Sequence, residues 1–373
     1  MIRILHTADV HLGHEFPSLR DKGPEYRRQL LATFEQITDL AIRQNVSLLL
    51  IAGDLFDTNA VMGTPVRTVL ASFKRLEAAG VRACILPGTH DAYSEDSIYR
   101  FLDLPANVTV LNPQRVSQTY GDLGLTVYGK AFDGKLVGTS ALQGLSLCAD
   151  SRFHVGMAHC SLRMDGVTDR EAMIVDKREI GASRLDYLAL GHWHSFRDCS
   201  QGATKAFYCG SPEPIDMDQR GAGSVALVTI RDRGDVDVQQ VRVGSRVFGQ
   251  MTINLELVKS LNDIVQIIAA KADPNLILEV TLRGVPDLDH ELDPRELEEE
   301  LGGQFFCLRL LDRASERLDD VRMEDYPQDT VAGGFIRAME ARMAKCSPDE
   351  KGIYAEALKL GVALIQKGPQ VIE

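Results

Sequence analysis

Two rhythms of apolar residues alternate along the chain up to about residue 245. Positions 2–8 form a short apolar run, and 46–52 a continuous aliphatic one of the kind a strand shows when both its faces are buried. Between them Leu30, Leu31, Phe34, Ile37, Leu40 and Ala41 recur at helical spacing, which predicts an amphipathic helix over 25–45. A second helix is expected over 65–79, where Val66, Val69, Leu70, Phe73 and Leu76 make the stripe, Pro65 opens it and Gly80 closes it. Positions 81–86 return to strand character. Strand–helix–strand units of this length predict parallel pairing through right-handed crossovers. From about Thr109 strand-length runs take over, at 107–111, 125–131, 153–159, 185–190, 205–209, 224–230 and 236–243. The expected fold class is α/β, a four-layer α/β/β/α sandwich with two sheets face to face and helices outside.

Past 246–250 the pattern restarts, with a strand over 251–257, a helix over 261–271, a strand over 275–283 ended by Gly284, dense acidity over 287–300 and a strand over 305–311. This predicts a small α+β domain spanning 250–325, the position at which the resemblance drawn below implies a cap domain. The remainder, 330–373, is expected as a C-terminal helical tail with helices over 335–344 and 349–366, the second opened by the cap-like Ser347-Pro348-Asp349-Glu350. Short helices cannot bury their apolar faces alone, so Phe335, Ile336, Met339 and Met343, with Tyr354, Leu358, Val362 and Ile365, either dock on the body or await a partner. The domain expectation is thus 1–245, 250–325 and 330–373.

Composition narrows the function classes. Of 373 residues 45% are hydrophobic and no low-complexity tract occurs, which excludes general disorder. The longest apolar runs are strand-length, far short of the ~20 residues a helix needs to cross a bilayer, so no membrane partner is expected. The opening MIRILHTADV turns polar too soon for a signal peptide. Seven cysteines without a C-x-x-C pair suit free thiols in a reducing, cytoplasmic location. A net charge of −12 argues against a polycationic grip on nucleic acid, yet leaves room for a nuclease whose metal ions bring positive charge to the phosphate.

Metal-ligand side chains stand where buried runs end: Asp9 and His11 after the first, Asp54 after the second, His90 after the third. His159 closes 153–159, and His192 and His194 follow 185–190. In open α/β folds ligands bind outside the carboxyl ends of the strands, so these segments are expected to converge at one edge. An extended backbone would point Asp9 and His11 to one side, and His192 and His194 likewise. Gly53, Gly88 and Gly191 permit tight turns beside them. Mixed imidazole and carboxylate donors suit Mn, Fe or Zn better than Ca or Mg. Two such cations would clamp a phosphoryl group and acidify a bound water.

Asp9-Val10-His11, Gly53-Asp54-Leu55-Phe56-Asp57, Gly88-Thr89-His90-Asp91, the His159 segment and Gly191-His192-Trp193-His194 stand in an order and spacing that resembles the calcineurin-like metallophosphoesterase superfamily. The fuller opening His6-Thr7-Ala8-Asp9-Val10-His11-Leu12-Gly13, with Leu50-Ile51-Ala52-Gly53 before Asp54 and Tyr208-Cys209-Gly210-Ser211-Pro212, resembles its SbcD branch, DNA-repair nucleases that partner a coiled-coil ATPase. The likeness covers about the first 230 residues; beyond them only position and size match the branch's DNA-contacting cap and ATPase-docking segment. The resemblance implies two divalent metals, Mn before Fe or Zn, with Asp9, His11, Asp54 and His194 on one and Asp54, His159 and His192 on the other. It implies His90 as the general acid that protonates the leaving oxygen, oriented by Asp57. DNA, an SbcC-like ATPase and a homodimer are the partners it implies.

The chain departs from the family's Gly-Asn-His-Asp or Glu at Gly88-Thr89-His90-Asp91. The asparagine normally completes the second metal site; the shorter, weaker hydroxyl of Thr89 is expected to loosen that site without abolishing it. Other residues have plainer readings. His6 and His154 read as hydrogen-bonded core histidines, His290 and its acidic stretch as solvated surface, and Cys160 as pointing away from the metals. His14 lies near enough to touch phosphate, and Trp193 either packs on the fold or stacks on substrate. Reaction class rests on residues and substrate on analogy. A small-molecule or cyclic-nucleotide phosphodiesterase and a catalytically weak scaffold for an ATPase are the competing readings.

Overall fold

The computed structural model describes residues 1–135, 138–164, 173–216, 219, 221–284, 292–314 and 330–367. His290 lies outside them. The chain divides into two compact units, Met1–Phe248 and Gly249–Glu373.

In chain order the first unit begins with β1 (Ile2–Thr7), α1 (Gly23–Arg43), β2 (Leu48–Ala52), α2 (Thr64–Ala78), β3 (Arg82–Leu86) and β4 (Val108–Val110). It continues with β5 (Ser117–Tyr120), β6 (Leu125–Gly129), β7 (Thr139–Ser140), β8 (Phe153–His159), β9 (Ser161–Leu162), β10 (Met173–Val175) and α3 (Lys177–Ala182). β11 (Tyr187–Gly191), β12 (Arg197–Asp198), β13 (Lys205–Tyr208), β14 (Ser224–Asp232) and β15 (Asp235–Arg242) complete it. One six-stranded sheet runs β15-β14-β1-β2-β3-β4, the other β12-β13-β11-β8-β6-β5. β1 to β4 pair in parallel, as do β13, β11, β8 and β6, so the carboxyl ends within each set point the same way.

Strand alternation explains the continuous apolar runs. Ile4, Leu48, Leu50, Cys84 and Leu86 from the first sheet meet Val127, Phe153, Val155, Met157, Tyr187 and Ala189 from the second in one central core. Their neighbours Leu5, Leu49, Ile51 and Ile85 are equally buried on the opposite face, where the stripes of α1 and α2 supply Leu30, Phe34, Ile37, Val69, Phe73 and Leu76. Each such side chain contributes about 1.5–3 kcal/mol by leaving water. The fourth layer is thin. Tyr128, Ala158, Leu188, Leu190 and Tyr208 on the outer face of the second sheet are covered by the short α3, through Ile180, and by the small sheet β7-β10-β9, through Met173, Val175 and Leu162.

The second unit holds β16 (Val247–Asn254), most of which it contains, α4 (Leu261–Ala269), β17 (Asp273–Gly284), α5 (Pro294–Leu301) and β18 (Phe305–Ala314). Its sheet order is β16-β17-β18, with β17 and β18 parallel across α5. Ile264 and Ile268 of α4, Leu297 and Leu301 of α5, and Val280, Leu282, Leu308 and Leu310 of the strands share one core. α6 (Val331–Met343) and α7 (Pro348–Lys367) pack on each other: Ile336, Met339, Leu358 and Val362 bury a common seam, flanked by Phe335, Met343 and Tyr354. Among the described residues no helix is long and apolar enough to cross a membrane, and the seven cysteines are free thiols.

Candidate metal centre and active site

The edge where β1, β2, β3, β8 and β11 end is built from turns that few residues tolerate. Asp9, His11, Asp54 and His192 take positive φ, at 54°, 49°, 50° and 94°, a conformation uncommon outside glycine that collects at functional sites. The expectation of an extended backbone here is therefore corrected. β1 stops at Thr7 and β11 at Gly191, and the left-handed turns send His192 and His194 to different partners. The His194 ring meets that of His11 at 5.1 Å, and the His192 ring meets that of His159 at 5.2 Å.

Backbone bonds lock the exits of β1 and β2 together. The Asp9 N–H donates to Gly53 O, those of Val10 and His11 to Asp54 O, and that of Leu12 to Leu55 O, all at 2.9–3.0 Å. Glycine is obligatory at two of these points. A Cβ on Gly53 would lie 2.0 Å from His159 Nδ1, and one on Gly191 2.0 Å from Ala52 O.

The result is a buried constellation. Ligand atoms of Asp9, His11 and His194 lie within 4.8 Å of one another, as do those of Asp9, Asp54 and His159 and those of His11, Asp57 and His90. Asp54 Oδ2 is 3.0 Å from His159 Nε2 and 3.9 Å from His11 Nε2, while Asp9 Oδ1 is 3.9 Å from His194 Nε2 and 3.8 Å from His159 Nδ1. The Asp9 carboxylate also accepts the His192 N–H at 2.9 Å. His159 Nδ1 donates to Ala52 O at 2.9 Å, so Nε2 is the ring nitrogen that faces the Asp54 carboxylate.

Electrostatics show what the pocket wants. Burial opposes a charge on His159, but the neighbouring Asp54 and Asp9 overcome it and push the imidazole up to about 10. His11 is raised in the same way, against its burial, by Asp57, Asp54 and Asp9. Asp54, despite burial, is held well below the carboxylate range by His159 and His11. A site that stabilises positive charge so strongly is suited to cations. His11 gives a direct fit: Nδ1 lies 3.1 Å from Asp57 Oδ1, whereas Nε2 is buried and has no hydrogen-bond partner. A buried nitrogen lone pair among two carboxylates and two imidazoles is a donor that a divalent ion satisfies.

Thr89 sits at this pocket, its hydroxyl 3.3 Å from Asp54 Oδ2 and 3.4 Å from His159 Nε2. His90 is half exposed at the mouth. Its N–H donates to Asp54 Oδ1 at 2.8 Å, and its Nδ1 lies 3.1 Å from the main-chain carbonyl of Asp57 but 3.8 Å from the Asp57 carboxylate. The carboxylate instead serves His11 and His14, whose Nδ1 is 3.0 Å away. The contact of Asp57 with the His90 ring thus runs through the backbone oxygen.

Sequence reasoning did not assign three supports. Asp91 is fully buried and accepts the N–H groups of Leu55, Phe56 and Gly88 and the Tyr99 hydroxyl, tying the Asp54 loop to the His90 loop. Burial, then the charge of Asp54, raises its pKa. Ser211 donates its hydroxyl to Asp9 O and its N–H to His194 O. Only a polar residue directly after a ligand signalled Asp91, and nothing periodic marks Tyr99. Elsewhere, His6 Nδ1 bonds the Tyr187 hydroxyl at 2.8 Å across the two sheets, and His154 Nδ1 bonds that of Tyr128 at 3.0 Å. Cys160 is buried with the outer layer of the second sheet.

Fold and site together define a phosphoester-hydrolase class. Residues 2–196, more than half of the chain, match the family described as calcineurin-like phosphoesterase, and the chain belongs to that family. It is 24% identical over 383 residues to a DNA double-strand break repair protein Mre11 of Sulfurisphaera tokodaii, covering 95% of this chain and 92% of that one. It is 28% identical over 287 residues to the SbcD component of the SbcCD nuclease of Escherichia coli, covering 65% and 68%. An uncharacterized metallophosphoesterase, YhaO of Bacillus subtilis, is 23% identical over 275 residues, 72% of this chain and 66% of that one. Family and ligand clusters make the chain a metal-dependent hydrolase.

Proposed function

We propose that the chain is a DNA nuclease that hydrolyses phosphodiester bonds with two divalent cations, Mn first among them. The observation that carries this reading is the buried, unpartnered Nε2 of His11 inside a cage of carboxylates and imidazoles. Asp9, His11, Asp54 and His194 would hold one ion, and Asp54, His159 and His192 the second, with the Thr89 hydroxyl a weak neighbour of that second site. Bound cations supply the charge that a phosphodiester under attack needs, and acidify the attacking water.

The chain's own residues do the rest. Asp57, through its carboxylate, fixes the His11 tautomer so that Nε2 faces inward. His90 holds its Nδ1 hydrogen on the Asp57 carbonyl, so Nε2 is the atom that passes a proton to the departing sugar oxygen. Asp91 keeps the two loops in register. The relatives named for DNA break repair and for a nuclease support DNA as the substrate. The same likeness supports a coiled-coil ATPase on the tail helices, where Val331 and Ile353 remain exposed, and a cap role for the second unit. Exposed Met62 and Phe101 support a homodimer, and seven free thiols a cytoplasmic setting.

The test is hydrolysis of a 5′-labelled oligonucleotide and of a small chromogenic diester, after chelation and after Mn is restored. Metal-dependent cleavage of the oligonucleotide is expected. Turnover of the small diester without DNA cleavage would reassign the substrate, and no turnover of either at saturating Mn would make the chain a scaffold.

A further inference from the structure

We propose that Trp193 and Arg197 form a nucleobase-stacking platform at the mouth of the site, which makes an unpaired base, at a strand end or in a single strand, part of what the enzyme recognises. The inference rests on the nuclease reading above and names its substrate class more closely. Trp193 is the single tryptophan of the chain and stands between His192 and His194, whose rings turn inward onto His159 and His11. The residue is 42% exposed. Adjacent Cα atoms are about 3.8 Å apart, so the ring is anchored one residue from each of two imidazoles that face the reacting phosphate.

Its setting is rigid and cationic. Trp193 lies two residues past the end of β11, a central strand of the second sheet, beyond the left-handed turn at His192. Arg197 lies in β12, the edge strand, where it pairs antiparallel with Tyr208, and its guanidinium carbon is 5.9 Å from the centre of the Trp193 ring. At that separation the cation and the indole attract each other. An aromatic face beside a guanidinium is the combination by which proteins hold unpaired nucleotides, the ring taking the base and the cation the backbone. A base inside a duplex has both faces covered by its neighbours, so a stacking platform selects bases that are free on one side.

The single tryptophan makes the test direct. Emission is recorded on the full chain in chelator, where nothing is cleaved, while a single-stranded oligothymidylate or an abasic strand of the same length is added. The expected result is saturable quenching by the oligothymidylate and little by the abasic strand. In Mn-dependent hydrolysis of single strands, Trp193→Ala should raise KM about tenfold or more, and Trp193→Phe should restore most of the loss. Equal quenching by both strands, or equal KM for the alanine variant and the parent, overturns the platform. Quenching by bases without DNA cleavage keeps the platform and sinks the nuclease reading, whereas cleavage without quenching does the reverse.

Discussion

Asp57 Oδ1 stands 3.1 Å from His11 Nδ1, and this one contact aligns the imidazole whose other nitrogen is buried without a partner. A carboxylate behind a ligating histidine fixes its tautomer and raises its basicity. Asp57→Asn is therefore expected to weaken metal binding about 10–100-fold while leaving His90 in place, because His90 is held by the main-chain carbonyl. Titration of the chelated variant with Mn, by calorimetry, checks this. Unchanged affinity with lost turnover would instead assign the carboxylate to His90.

His90 should behave in the opposite way. His90→Asn removes the proton donor at the mouth but keeps the N–H that bonds Asp54. The expected outcome is a loss of ~10²-fold or more in kcat with metal affinity retained. Single-turnover cleavage beside a metal titration separates the two quantities. A large fall in affinity would move His90 into the metal shell.

The proposed second metal site has Thr89 beside it. Its hydroxyl lies at hydrogen-bond distance from Asp54 and His159, where a longer amide oxygen could reach an ion. The parent is expected to take up Mn in two unequal steps, and Thr89→Asn to tighten the weaker one. Two equally tight ions in the parent would refute the weakening.

His6 predicts an acid-labile core. Burial between the sheets lowers its pKa from 6.5 to about 3. Between those values the unfolded chain binds a proton that the folded chain refuses, so stability is complete above the upper value and falls with acidity, by up to ~1.4 kcal/mol per pH unit. His6→Gln removes that slope. Urea unfolding of both proteins in chelator, at pH 7 down to pH 4, should show the gap between them narrowing as pH falls. Parallel curves would mean that another group carries the acid sensitivity.

Much of the first unit was legible because its strands and helices bury opposite faces: the stripe of Leu30, Phe34 and Ile37 and the run 46–52 announce themselves. β5, Ser117–Tyr120, was not, because a polar edge strand is held by pairing with β6 and leaves no apolar mark. The short α3 escaped for a related reason; its capping box at Asp176 and Glu179 stabilises six residues that bury only Ile180. The two tail helices were legible as amphipathic, but that Phe335 and Tyr354 flank one shared seam depends on how the hairpin closes.

By itself the sequence determined the two-sheet architecture and which side chains stand at strand ends, since burial leaves a periodic record along the chain. Only the tertiary structure decided how those side chains are aimed. Left-handed turns at Asp9, His11, Asp54 and His192 keep Asp9 and His11 in one cluster but send His192 and His194 to different partners, and the Asp57 carboxylate goes to His11 and His14 while its carbonyl takes His90. Such aims depend on contacts between residues up to nearly two hundred positions apart, as from Asp9 to His192. No local periodicity encodes them.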